Sequence, residues 1–368
     1  MRLIIAGGGT GGHLFPGIAV AEEFLSRNPK NEVLFVGTER GIEARAVPAA
    51  GYRLELISAA GIRGKGSFSK LKGGMLMLYG YAQSRKLLRT YKPDMVLGVG
   101  GYASLPMVMA ARGIQIPSFI HEQNAIPGMT NRLLARVAGR AFITLEESIR
   151  YFPENKVLLT GNPLRRQILE MRTSGAPVER APGAPFHLFI FGGSQGAHAI
   201  NTAIVAALPV LKAEGVDLTI THQTGEKDYE EVAEAYRMAG VDAEVTPFIN
   251  NMASEYAKAD LVVCRAGATT IAETTACGRP CLFIPFPHAV DDHQRRNAEA
   301  LLKKDACFML LEQELSPGKL ATMITNLMKD PETLQRTGQS ASSLARLDAA
   351  KIIVDEMIGE CSVGKIRR

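Results

Sequence analysis

A short apolar strand that runs into a glycine-rich turn and then a helix occurs twice in this chain, almost half its length apart. Arg2-Leu3-Ile4-Ile5-Ala6 leads into Gly7-Gly8-Gly9-Thr10-Gly11-Gly12-His13, with an apolar helix expected from Pro16 to about Ser26. The run 186–191 leads in the same way into Gly192-Gly193-Ser194-Gln195-Gly196-Ala197. Glycines at such a junction let the backbone approach a ligand with no Cβ in the way. The recurrence predicts two Rossmann-like domains in tandem, and 368 residues are enough for two cores. The second loop lacks the Lys-Ser/Thr pair of a P-loop, which argues against an NTPase.

Other strand-like runs are 33–37, 54–57, 95–99, 118–121, 141–144 and 157–160, then 218–221, 243–245, 261–264, 281–284 and 307–310. Helical or loop segments separate them, as in the βαβ units of a parallel sheet, so the fold class is α/β. Gly161-Asn162-Pro163 and the Pro/Gly/Ala-rich stretch 174–185 set a boundary. The expected domains are 1–162 and 163–342. The tail 340–359 reads as one final helix, with the segment 343–368 packing back on the first domain.

The most informative stretch is 261–297. A β-branched run at 261–264 turns through Arg265-Ala266-Gly267-Ala268 into a helix of small residues expected over 269–276. A helix start of this kind offers unpaired N–H groups and a positive dipole end to a phosphate. Glu273, one turn further in, is placed to accept from ribose hydroxyls, and a polar loop is expected at 288–297. Diphosphate, ribose and a hydroxyl-rich group are thus met in sequence order, as in a nucleotide-sugar site. In the first half, Gly100-Gly101-Tyr102 and His121-Glu122-Gln123-Asn124 follow strands, at the edges where ligands of open α/β sheets sit. Gly7-x-Gly9-x-x-Gly12 also fits the dinucleotide fingerprint, with Glu39 somewhat late for the ribose acid. That keeps a dinucleotide-dependent oxidoreductase open, although it gives the second glycine loop and residues 268–294 no role.

Charge and cysteine usage narrow the setting. Residues 1–162 carry 20 Lys+Arg against 11 Asp+Glu, and the remainder 22 against 26. Between Glu55 and Asp94 there is no acid, but Arg63, Lys65, Lys70, Lys72, Arg85, Lys86, Arg89 and Lys92 alternate with Ile62, Phe68, Leu71 and Met75-Leu76-Met77-Leu78-Tyr79. Basic residues beside apolar ones favour an anionic membrane surface. The competing reading is a solvated helix face over an ordinary core stripe. No stacking platform or nucleic-acid motif accompanies the charge, so nucleic acid is not expected. No apolar run approaches the roughly 20 residues that span a bilayer. The chain enters a strand at once, without the regions of a signal peptide, so a cytoplasmic protein is expected. The five cysteines are odd in number and lack the usual zinc spacing, which predicts buried free thiols.

Taken in order, Gly8-Gly9-Thr10-Gly11-Gly12-His13, Gly100-Gly101-Tyr102, His121-Glu122-Gln123-Asn124, Gly161-Asn162-Pro163, Gly192-Gly193-Ser194-Gln195-Gly196 and Cys264-Arg265-x-Gly267-Ala268 resemble the MurG family of glycosyltransferases. The resemblance covers essentially the whole chain. It implies a GT-B fold, with two Rossmann-like domains facing a central cleft. It also implies an inverting transfer of N-acetylglucosamine from UDP-GlcNAc to undecaprenyl-diphospho-N-acetylmuramyl-pentapeptide, with no cofactor and no metal.

Carried over residue by residue, the resemblance implies that Thr10, Gly11, Gly12 and Asn124 lie beside the sugar. Arg165 and Ser194 would contact the nucleotide, and Ile249 the uracil through its backbone. Ala268, Thr269 and Thr270 would meet the diphosphate, Glu273 the ribose and Gln294 the N-acetylglucosamine hydroxyls. Gly100, Gly101 and Tyr102 would belong to the acceptor loops. His13 is the candidate base for the acceptor C4 hydroxyl, Glu122 the reserve; the competing role for His13 is to bind the acceptor or orient its loop. Where the family often carries two adjacent glutamines, this chain has His293-Gln294. The setting implied is peptidoglycan synthesis, with cell-wall biogenesis, cell shape and cell division, at the cytoplasmic face of the inner membrane. Other cell-wall synthesis proteins are further expected partners. Another GT-B transferase with a different nucleotide sugar or lipid acceptor is the alternative within the same fold.

Overall fold

The computed structural model describes residues 1–39, 41–59, 67–173, 183–193, 195–215 and 217–366. Arg63, Lys65 and Ser194 lie outside them. The chain forms two units, Met1–Arg165 with Arg346–Arg368, and Arg166–Ala345. Arg165 therefore belongs to the first unit.

The first unit carries β1 (Arg2–Gly7), β2 (Glu32–Gly37), β3 (Arg53–Leu56), β4 (Met95–Gly100), β5 (Ser118–Glu122), β6 (Arg140–Ile143) and β7 (Val157–Leu159). They form one sheet in the order β3-β2-β1-β4-β5-β6-β7, with parallel pairing throughout. The central strands are apolar along their whole length because both faces are covered. Ile4, Leu34, Val96 and Ile120 enter one core cluster. Their neighbours Leu3, Ile5, Phe35, Leu97 and Phe119 enter the cluster on the opposite face. This is the two-residue alternation of a strand. The second unit repeats the plan with β8 (Phe186–Phe191), β9 (Leu218–Gln223), β10 (Ala243–Thr246), β11 (Leu261–Cys264), β12 (Cys281–Phe283) and β13 (Phe308–Met309). Its order is β10-β9-β8-β11-β12-β13, again parallel.

Three expected elements differ. The first helix spans Gly11–Ser26 and holds Pro16 inside it, because Thr10 is the extended residue that opens the helix. Proline suits the first helical turn, so its position suggested too late a start. The region 288–297 is not a loop but a 3-10 turn, Val290–Asp292, followed by the helix His293–Leu302. Asp291 and Asp292 take positive φ values of 53° and 54°, which short acidic side chains tolerate. The expected single C-terminal helix is two, Pro331–Ser343 and Ala349–Ile366. The latter buries Ile353, Val354, Met357 and Cys361 in the first unit's core with Leu14, Val20 and Phe24 of the helix Gly11–Ser26. Arg27 pairs with Asp355 at 2.9 Å beside that contact.

All five cysteines are free and buried. Burial pushes the Cys264 thiol well up from its ordinary value. No helix among the described residues is long and apolar enough to cross a membrane.

Candidate active site

In the first unit the sequence-predicted residues gather at the carboxyl ends of β1, β4 and β5, neighbouring strands of one sheet. The first glycine loop and the Gly100-Gly101 turn touch backbone to backbone. Gly8 N–H donates to Gly100 O at 3.3 Å, and a Cβ on Gly101, whose φ is +79°, would stand 2.3 Å from Gly8 O. Only glycine fits there. Buried Ser104 links the two strand ends: its hydroxyl accepts from Gly100 N–H at 3.0 Å and lies 2.6 Å from Ala6 O as donor.

A carboxylate absent from the sequence reading holds the first loop. Glu43 is buried and accepts from Gly9 N–H at 2.7 Å, Thr38 N–H at 2.9 Å and the Thr38 hydroxyl at 3.1 Å. Glu39, the acid first considered, is exposed. The available signal was a glycine set: a Cβ on Gly8, Gly37 or Gly41 would strike the Glu43 side chain within 2.3 Å.

His13 lies in the first turn of its helix, with Nδ1 2.9 Å from Gln123 Oε1. A Cβ on Gly100 would stand 2.8 Å from that same Nδ1, so glycine leaves room for the ring. Gln123 is itself buried. Glu122 is engaged by its own loop: Oε1 accepts from Asn124 N–H at 2.9 Å, and Oε2 from Gly128 N–H at 3.1 Å and Asn131 Nδ2 at 2.9 Å. Asn124 Nδ2 also donates to Oε1, at 3.2 Å. Thr10 and Tyr102 are exposed. The Arg165 guanidinium lies over the Phe15 ring, 5.2 Å from its centroid, on the helix that carries His13.

In the second unit the corresponding residues lie at the ends of β8, β10, β11 and β12. Gly196, at φ +74°, runs against Thr224 O so closely that a Cβ would stand 1.8 Å from it. Gln223 Nε2 donates to Gly193 O at 3.0 Å and to Pro247 O at 3.3 Å, tying the second glycine loop to the segment before Ile249. Thr246 Oγ1 donates to Phe248 O at 3.0 Å and shapes the same segment. The helix Ala268–Cys277 opens at Gly267 without a side-chain cap, so Ala268, Thr269 and Thr270 form its first turn. Glu273 is buried and accepts from the Tyr256 hydroxyl at 3.2 Å.

Arg265 has a role that the sequence did not give it. Buried at the end of β11, it donates through Nη1 to Ile284 O at 3.0 Å and Pro285 O at 3.2 Å. Nη2 pairs with Glu312, and the guanidinium covers Phe286 at 5.4 Å. Phe286 N–H in turn donates to Gln294 Oε1 at 3.0 Å. With that oxygen taken as an acceptor, the Gln294 amide is left with its N–H groups as donors. His293 Nδ1 faces Val290 O at 2.8 Å, where the imidazole must donate. Among the described residues no group of three or more His, Cys, Asp or Glu is arranged to hold a metal ion.

Residues 3–143 match the glycosyltransferase family 28 N-terminal domain and residues 187–353 its C-terminal domain. With two parallel-sheet units that each open on a glycine loop, the chain is a glycosyltransferase of GT-B fold. It is 68% identical to the UDP-N-acetylglucosamine–N-acetylmuramyl-(pentapeptide) pyrophosphoryl-undecaprenol N-acetylglucosamine transferase of Pelobacter propionicus, over 97% of this chain and 99% of that protein. The transferase of the same name from Geobacter sulfurreducens is 65% identical over 97% and 98%. The crystal structure of Acinetobacter baumannii MurG superposes with a TM-score of 0.78 at 31% identity, covering 97% of this chain and 99% of that one. The chain belongs to the MurG family. The fold alone is shared with the UDP-GlcNAc 2-epimerase of Neisseria meningitidis, at 14% identity and a TM-score of 0.68 over 98% of this chain and 100% of that one.

Proposed function

We propose that the chain moves N-acetylglucosamine from UDP-GlcNAc to the C4 hydroxyl of the N-acetylmuramyl unit in undecaprenyl-diphospho-N-acetylmuramyl-pentapeptide, with inversion at the anomeric carbon. The observation that carries this reading is full-length identity of 68% to a transferase named for that donor and acceptor. His13 takes the C4 hydroxyl proton as the oxygen attacks C1 from the face opposite UDP. The bond from C1 to the diphosphate oxygen breaks, and UDP leaves with the electron pair. The first turn at Ala268, Thr269 and Thr270 stabilises that charge through N–H groups and the helix dipole. Arg165 and Ser194 hold the nucleotide, the Ile249 backbone the uracil, Glu273 the ribose and Gln294 the sugar hydroxyls. Thr10, Gly11, Gly12 and Asn124 flank the sugar, while Gly100, Gly101 and Tyr102 receive the acceptor. Glu122, with both oxygens engaged, shapes the loop that carries Asn124.

The same reading places the protein peripherally on the cytoplasmic face of the inner membrane, where the lipid acceptor resides, in the cell-wall synthesis that underlies cell shape and division. The helix Ser67–Tyr91 supports this, since it exposes Met75 at 65%, Leu78 at 73% and Tyr79 at 59% near the backbone positions of Lys70 and Lys72. An apolar cluster beside cations dips into an anionic interface.

Transfer of labelled N-acetylglucosamine to a short-chain lipid acceptor, with EDTA present, tests the reaction. Wild type transfers, and His13→Ala loses about 10²–10⁴-fold in kcat. A folded wild type that transfers nothing overturns the donor and acceptor assignment, and an unimpaired His13→Ala removes the base. For the membrane, Lys65→Glu, Lys70→Glu and Lys72→Glu combined should lower binding to anionic vesicles; unchanged binding refutes the docking role.

A further inference from the structure

We infer that Gln123 is a positioning residue that holds His13 in the tautomer protonated at Nδ1, so that the Nε2 lone pair is left for the acceptor hydroxyl. This rests on the reading of His13 as the base. The argument starts from two backbone carbonyls, which only accept. Val99 O lies 2.9 Å from the Gln123 amide nitrogen, so the nitrogen must be there and not the amide oxygen. Gly161 O lies 3.3 Å from His121 Nε2, so that nitrogen carries the proton of a neutral ring. Burial keeps the ring neutral: His121 is 1% exposed and its pKa is lowered to about 4. His121 Nδ1 is then an acceptor, and it takes the second N–H of Gln123 at 3.1 Å. Both amide hydrogens are thereby assigned, and Gln123 Oε1 is left facing His13 Nδ1 at 2.9 Å. An oxygen with no hydrogen demands a donor, so His13 bears its proton on Nδ1. Every member of the chain is buried or half-buried, so water does not substitute for a missing partner without cost.

The prediction is read in the imidazole ¹⁵N spectrum, with the His13 signals assigned by their loss in His13→Asn. Wild-type His13 shows a protonated Nδ1 and an unprotonated Nε2. Gln123→Met, similar in length but without polar atoms, gives a mixture of tautomers and about a tenfold or greater fall in kcat with little change in the KM for UDP-GlcNAc. A wild-type spectrum with the proton on Nε2 overturns the inference, as does a Gln123→Met protein with unaltered spectrum and kcat. Because the wild-type spectrum requires neither a Gln123 variant nor turnover, it decides the tautomer even if Gln123→Met fails to fold. A fully active His13→Ala would instead remove the base reading.

Discussion

Single buried side chains fix the first glycine loop and the loop after β5. Glu43 collects the N–H groups of Gly9 and Thr38. Glu122 does the same within its own loop. Buried histidines have a cost that appears in acid. His121 titrates at about 4 instead of 6.5, because burial opposes its charge, and His222 at about 3 for the same reason. When unfolded, each imidazole takes its proton near 6.5, so between that pH and 4 the unfolded chain binds more protons. Stability is therefore full above about 6.5 and falls as the pH drops. His121 alone contributes a loss of about 3 kcal/mol by pH 4, and thermal melts over that range should show it. A melting temperature flat from pH 7 to 4 would contradict a neutral buried His121. None of this was legible from the sequence, where His121 was simply a polar residue at a strand end.

Strands were the most legible elements. All thirteen strand-like runs are strands; the central ones were plainest, because a parallel strand covered on both faces is apolar along its length, whereas the edge strands β3 and β10 carry Arg53, Glu55 and Glu244. Helix boundaries were less legible. Pro16 inside a helix and two aspartates at positive φ are tolerated by context that a local pattern does not carry. The segment after β12 depends on such context, since Arg265 clamps its carbonyls and Phe286 N–H holds the Gln294 side chain. Arg265→Met should strand those carbonyls and Glu312, at about 1–3 kcal/mol of stability. If the clamp positions Gln294 for the sugar, the KM for UDP-GlcNAc should rise about tenfold, equivalent to about 1.4 kcal/mol. Steady-state kinetics on a protein shown to be folded would check this. An unchanged KM would leave Arg265 a purely structural residue.

Across the whole molecule, the C-terminal helix Ala349–Ile366 belongs to the first unit although the second intervenes in sequence. Ile353, Val354 and Met357 are fully buried there. At about 1.5–3 kcal/mol each, they make up a large part of the margin of one domain. A chain ending at Ala345 should lose the cooperative melt of its first unit, whereas residues 166–345 expressed alone should fold; a stable first unit without the helix would refute that accounting. The sequence by itself determined the two strand–glycine–helix repeats, the α/β class, the order of the motifs and the family they resemble. These follow from local pattern: the period of apolar residues and the places where only glycine fits. Tertiary structure alone decided that Glu43 and Gln123 support the first glycine loop and its histidine, that Arg265 braces the segment bearing Gln294, and that Ile353, Val354 and Met357 are the residues of the C-terminal helix buried in the first core. Those contacts join residues from 19 to more than 300 positions apart. A hydrogen bond or buried contact across that distance leaves no periodic trace in either partner.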